Sequence, residues 1–255
     1  MEDEGEAFSD LKFKILNFIM SYLILFILAL SPSIIWLLFY LRKDAHPESN
    51  SMILKIFFYG MLSAVPAIFI ELGFFQETAK LNLSPFLISF LNVFIAVALV
   101  EEVLKYLVVK NKVLNNSEFD EPLDVMLYMI IAALGFVALE NILIFLSSET
   151  YFLRVGETLI LAGFRFISAT FLHALSSGAL GYFLALSFFE TKKRNIFLVT
   201  GFSLAIILHG LYNFSIMMEG GYLRLFFPTI IIIRLAIFVS FGFRKLKKLS
   251  SVCKI

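Results

Sequence analysis

Residues 83–112 read LSPFLISFLNVFIAVALVEEVLKYLVVKNK. No charge interrupts the stretch from Leu83 to Val100. Glu101, Glu102 and Lys105 then arrive inside a run that stays apolar to Val109. A membrane-crossing helix needs about 20 consecutive, mostly apolar residues. A helix lying on a soluble core would show a charged face at every turn, and none is present before Glu101. The whole chain has the same character. Of its 255 residues 60% are hydrophobic and 16% charged, and the mean hydropathy is +0.91. Soluble domains run at roughly 45–50% apolar, so lipid is the solvent for most of this sequence.

Working outward gives seven runs of spanning length: Ile15–Leu41, Met52–Leu72, Leu83–Val109, Val125–Leu146, Glu157–Phe189, Ile196–Met217 and Tyr222–Phe243. Pro32 is expected to kink the first. Glu121, Pro122 and Asp124 mark the start of the fourth. All must be helices, because an open strand leaves its backbone unsatisfied in hydrocarbon. The expectation is an all-α, polytopic helical bundle of about seven to eight spans, forming one integral membrane domain over residues 1–255. No internal repeat is visible.

Loop charges orient the bundle. Arg42, Lys43, Lys110, Lys112, Lys192, Lys193, Arg194, Arg244, Lys245, Lys247, Lys248 and Lys254 fall on one side, against Lys12, Lys14, Lys80, Arg154 and Arg224 on the other. The positive-inside rule puts the richer side in the cytoplasm. The N-terminus is then outside and the C-terminus inside. A net charge of +1 offers no basic face for nucleic acid. The acidic first residues and long first run predict a retained helix rather than a cleaved signal peptide. The one cysteine, Cys253, excludes an intramolecular disulfide. It stands third from the end, whereas a prenylation box needs the position of Val252, and it reads as incidental.

Ionisable groups inside membrane helices are expensive and mark function. The third run holds Glu101, Glu102 and Lys105, the fourth Glu140 and Asn141, the fifth Arg165 and His173, and the sixth His209 and Asn213. Spacings of i,i+3 and i,i+4 let Lys105 reach either neighbouring carboxylate. Ser176 and Ser177 follow His173 by one turn. Glu71 falls at the end of the second run and reads as interfacial. Arg234 has no evident role. Singly, Glu102 with Lys105 is a structural ion pair, and each histidine an interhelical hydrogen bond. Together, four successive helices offer acid, base and amide groups. Converging, they could bind Zn²⁺ or activate water directly. The H-E-x-x-H, G-x-S-G and G-x-G-D signatures are absent; Leu175-Ser176-Ser177-Gly178 lacks the leading glycine.

Four ordered blocks between Ser31 and Phe214 resemble the PrsW family of intramembrane proteases, relatives of the CAAX prenyl endopeptidases. They follow an opening segment, Ser31-Pro32 to Asp44. They are Glu101-Glu102-x-x-Lys105; Glu121-Pro122-Leu123-Asp124 with Gly135-Phe136-x-x-x-Glu140-Asn141; Arg165 with His173 and Gly178 to Tyr182; and His209-Gly210-Leu211-Tyr212-Asn213-Phe214. The resemblance implies an endopeptidase acting on membrane-anchored proteins, an anti-sigma factor among them, with Glu101, Glu102, His173, Glu140 and His209 carrying activity. Prenyl endopeptidases typically have histidine at the position of Glu140.

The expected mechanism has Glu101 or Glu102 as general base on a water. His173 and His209, with Glu102, are candidate ligands for Zn²⁺; without a metal the histidines would stabilise the oxyanion. Lys105 moderates the paired carboxylates, Arg165 is a counter-charge, and Asn141 and Asn213 orient the histidines. One tension remains in this reading. Along the helix axes Glu101 and Glu140 fall on opposite sides of the midplane, roughly 14 Å apart, which ranks Glu140 below the other groups. The rival classes are a proton- or ion-coupled transporter, which predicts internal repeats, and a non-catalytic scaffold, which predicts that Glu102→Gln leaves function intact.

Overall fold

A computed structural model describes residues 2–44, 46–116, 119–147, 155–217 and 223–249. Its α-helices are α1 (Glu2–Leu41), α2 (Asn50–Thr78), α3 (Pro85–Leu91), α4 (Val100–Lys112), α5 (Pro122–Phe145), α6 (Val155–Ile167), α7 (Ala169–Phe189), α8 (Arg194–Met217) and α9 (Leu223–Leu246). A π-helical segment, Asn92–Leu99, joins α3 to α4. Among the described residues seven stretches are long and apolar enough to cross a membrane, as many as the runs read from the sequence. The chain is a multi-pass membrane protein. Tyr222, Arg154, Cys253 and Lys254 lie outside the described residues.

The sequence 125–138, VMLYMIIAALGFVA, has no polar face, and a helix apolar all round must be buried all round. Accordingly every side chain from Pro122 to Ala138 is buried. α5 is the central post, and its largest contacts are with α7, α2 and α1. Its start is fixed by a reciprocal cap. The Glu121 side chain accepts from the Asp124 amide, and the Asp124 carboxylate accepts from the Glu121 amide at 2.7 Å. Tyr128 donates to Glu48 at 2.6 Å, which ties the segment before α2 to the post.

The bundle exterior is the inverse of a soluble protein's. Phe69 is 70% exposed and Ile160 74% exposed. Acyl chains, not water, match such a surface. Arg234 also lies on the exposed surface of α9, and nothing in the structure explains it.

Three features escape a hydropathy reading. α1 begins at Glu2, well before its apolar crossing segment at Met20. α2 runs to Thr78 rather than Leu72, so Glu71 is inside the helix and not at its end. Its charged neighbours are Glu101, Glu140 and Lys105. The fifth span covers 34 residues, or about 51 Å if straight, against a hydrocarbon core of about 30 Å. It turns at Ser168, between α6 and α7.

α2 and α5 approach until no side chain fits between them. A Cβ on Gly60 would collide with the Ala132 carbonyl, and one on Gly135 with the Phe57 carbonyl. Gly135→Ala is therefore expected to destabilise the protein by about 1–3 kcal/mol through overpacking. Gly73→Ala, which meets open space, should be neutral or gain up to about 1 kcal/mol in helix propensity. Thermal unfolding in detergent compares the two; equal Tm values would refute the close crossing.

Candidate active site

The site is built around a lysine that lipid would not tolerate alone. Lys105 is fully buried. Its ammonium donates to Glu101 Oε2 at 3.0 Å and to Glu102 Oε1 at 3.0 Å. Both acids lie one turn earlier on α4, as their spacing requires. The third contact comes from α7: His173 Nδ1 lies 2.9 Å from Lys105 Nζ. The Phe136 ring of α5 covers the ammonium at 4.5 Å. The π-helical winding just before α4 shifts the helix phase relative to α3, and such segments concentrate at functional sites.

Glu102 has every nearby donor directed at it. Oε2 accepts from Ser177 at 2.7 Å. Oε1 accepts from Ser176 at 3.1 Å and lies 3.1 Å from His209 Nδ1 on α8. Both serines thus serve the carboxylate, and Ser176 also lies 3.3 Å from the His173 backbone carbonyl. α8 reaches this position because Gly210 has no Cβ; one would collide with the Phe94 ring of the π-helical segment.

The imidazole tautomers follow from these partners. A carboxylate only accepts, and an ammonium only donates. His209 Nδ1 therefore carries hydrogen for Glu102, leaving the Nε2 lone pair free. That Nε2 is buried without a hydrogen-bond partner, 3.9 Å from Glu101 Oε2. His173 Nδ1 accepts from Lys105, so Nε2 carries hydrogen and faces Glu140 Oε2 at 3.3 Å. His173 Nδ1 also lies 3.4 Å from Glu101 Oε2. Both lone pairs thus turn towards Glu101, and a different carboxylate backs each ring.

Glu140 consequently belongs to the cluster, one imidazole away from Glu101. The axial separation expected from the sequence is bridged by the His173 ring. Arg165 Nη2 lies 3.7 Å from Glu140 Oε2, and Arg165 Nε donates to Asn141 Oδ1. Asn141 in turn donates to Thr170 at 3.2 Å. Arg165 is thus the counter-charge of Glu140, and Asn141 holds Arg165 rather than a histidine. Asn213 is half-buried one turn beyond His209, outside the hydrogen bonds that join the cluster. Among the described residues, one group has metal-binding geometry: Glu101, His173 and His209, with ligand atoms within 4.8 Å of one another. The sequence offers Glu102 with the two histidines; the geometric group holds Glu101 in its place, with Glu102 bonded to His209. Glu71 is the acid the sequence reading misplaced; only the true end of α2 reveals it. His46, the third histidine, has Nδ1 2.6 Å from Glu121 Oε1, outside the cluster.

A cluster of this kind inside a membrane bundle either moves protons or activates water. Two imidazoles and a carboxylate turned on one point, each ring backed by a second acid, make the donor set of an intramembrane hydrolase.

Comparison with known proteins takes this further. Residues 48–241 match the model of the PrsW family of intramembrane metalloproteases, and the chain belongs to that family. Protease PrsW of Geobacillus kaustophilus is 34% identical over 191 residues, covering 74% of this chain and 78% of the relative. Protease PrsW of Oceanobacillus iheyensis is 28% identical over 206 residues, 80% and 88% of the two chains. That of Bacillus subtilis is 28% identical over 215 residues, 84% and 89%. No solved structure matches significantly. The protein is an intramembrane peptidase, not a transporter.

Removing one partner from a buried ion pair leaves the other uncompensated. Lys105→Met should therefore cost about 3–5 kcal/mol of stability. Lys80→Met, which breaks the exposed pair with Glu77, should cost less than about 1 kcal/mol. Denaturant titration in mixed micelles measures both, and a benign Lys105→Met would rule out the ion-paired centre.

Proposed function

We propose that the protein is a metal-dependent endopeptidase that cuts membrane-anchored proteins, with Zn²⁺ held by His173 and His209 and with Glu101, turned on the same point, as the base. The observation that carries this is the orphaned His209 Nε2, which belongs to a group of possible ligand atoms on Glu101, His173 and His209 within 4.8 Å of one another. Nitrogen and oxygen donors of this kind suit zinc. Histidine ligands characteristically give their other N–H to a carboxylate, as His209 does to Glu102 and His173 to Glu140. Fully ionised, the three carboxylates outnumber Lys105 and Arg165, which favours a further cation. When bound, Zn²⁺ would supply a Lewis acid that brings the pKa of a coordinated water near 7.

The residues then divide the remaining work. Glu101 takes a proton from the water whose oxygen adds to the scissile carbonyl carbon. It returns that proton to the leaving nitrogen as the C–N bond breaks. Glu102 and Glu140 are positioning residues that fix the two rings, and Glu102 is in turn fixed by Ser176 and Ser177. Lys105 offsets the charge gathered around the carbonyl oxygen. Arg165 holds the Glu140 carboxylate in place beside His173.

The reading extends to place and partner. The whole chain is one membrane domain. The basic loops favour a cell membrane with the N-terminus outside and the C-terminus in the cytoplasm. An anti-sigma factor with a membrane anchor, the substrate class implied by the resemblance, fits this arrangement.

Metal analysis of the purified protein separates the roles. Wild type should carry about one Zn²⁺ per chain, and His209→Ala should lose it. Glu102→Gln should weaken retention by about 10–100-fold. Glu101→Gln should lower cleavage by about 10²–10⁴-fold. A metal-free wild type that still cleaves after chelation would sink the metal assignment and leave the histidines as oxyanion donors.

A further inference from the structure

A cleft of about 620 Å³ lies between α1 and α9, and none of the buried cluster's charged residues lines it. Both helices pack on α7. Tyr40 of α1 and Phe243 of α9 stack at 5.8 Å along it. The cleft is lined by Trp36, Phe166 and Phe171, and Lys43, Arg244 and Lys247 stand at its basic end. Trp36 stacks on Phe171 at 3.9 Å with the ring planes 8° apart. Its indole donates to the Phe166 carbonyl at 2.9 Å, beside the turn at Ser168.

The helix phase of α9 explains the shape. Ala236, Ser240, Arg244 and Lys247 follow one another at helical spacing, so two small residues open a trough that two cations close. Lys43 stands opposite, at the end of α1. Each of the three is exposed. No Asp or Glu lines the cleft, and none of the three cations forms an ion pair among the described residues. Lys245, between them in sequence, instead lies over the Tyr182 ring. Lys43, which lies over the Phe39 ring at 4.6 Å, Arg244 and Lys247 all line this one apolar trough, at the ends of two helices.

We infer that this cleft binds an anionic phospholipid, with an acyl chain against Trp36 and Phe171 and the phosphate between Lys43, Arg244 and Lys247. Basic pockets between membrane helices recognise acidic headgroups in this way. A zwitterionic lipid brings its own ammonium into a site that already holds three cations. An anionic lipid brings none. The preference expected from three near-surface cations is on the order of five-fold or more.

Trp36 is the chain's single tryptophan, so its fluorescence reports the cleft alone. The full-length protein would be reconstituted in phosphatidylcholine vesicles. An equal minor fraction of lipid is replaced by phosphatidylglycerol or by phosphatidylcholine, each brominated near the headgroup end of its chains. The brominated phosphatidylglycerol should quench Trp36 several-fold more strongly, and high salt should reduce that excess. The triple variant Lys43→Gln, Arg244→Gln, Lys247→Gln should lose the excess. The double variant Lys245→Gln, Lys248→Gln should keep it. Equal quenching by the two lipids would reduce the cleft to ordinary lipid contact. No quenching by either would mean that protein fills it, a substrate helix or a second copy. Both outcomes overturn the assignment, as does an excess that survives the triple variant. Should the triple variant not fold, the wild-type comparison and its salt dependence decide alone.

Discussion

The fully buried Lys105 ammonium, held between Glu101, Glu102 and His173, constrains most of the bundle. A buried charge is tolerated only with partners and hydrogen bonds in place. Meeting that requirement recruits the helices one after another. α4 supplies both acids. α7 supplies His173 and the two serines that saturate Glu102. α8 must come close enough for His209, which demands glycine at 210. α5 presents Glu140 to the far side of His173, and α6 brings Arg165 to Glu140. The packing of the inner helices and the geometry of the cluster therefore answer to one electrostatic condition.

That condition also explains how a stable centre can be reactive. Interactions among charges strengthen as water is excluded, so the groups are preorganised before substrate arrives. Most of the polar atoms are satisfied. The exception within the cluster, His209 Nε2, lies where Glu101 and His173 also converge. An unsatisfied buried polar atom is costly, and this one lies at the centre of the donor set on which the proposed metal site rests. Lys105 donates to the same Glu101 oxygen.

The spans were legible in the sequence because lipid imposes a simple rule, apolar residues over the crossing length. The chemistry-bearing residues were legible because charges inside such runs are conspicuous: Glu101, Glu102, Lys105, Glu140, Arg165, His173 and His209 all reach the cluster. What sequence could not supply was phase and bend. The π-helical turn before α4 and the break at Ser168 leave no hydropathy signature, yet they govern which face each residue presents. Straight-helix arithmetic thus separated Glu140 from Glu101, whereas one imidazole spans them. It also offered Glu102 as a ligand, although Ser176, Ser177 and His209 claim it. Glu71 was misjudged for a related reason, since its helix runs on to Thr78.

The central claim is that Glu101 activates water for peptide hydrolysis within the membrane. Its most direct test is a map of protein N-termini in the membrane fraction of cells producing wild type or Glu101→Gln at matched levels. The account predicts membrane-proximal termini that appear with wild type and vanish with the variant, which also identifies the substrate and its cut side. Identical maps from two folded, abundant proteins, in cells shown to make a cleavable substrate, would contradict it and return the buried charges to a structural role.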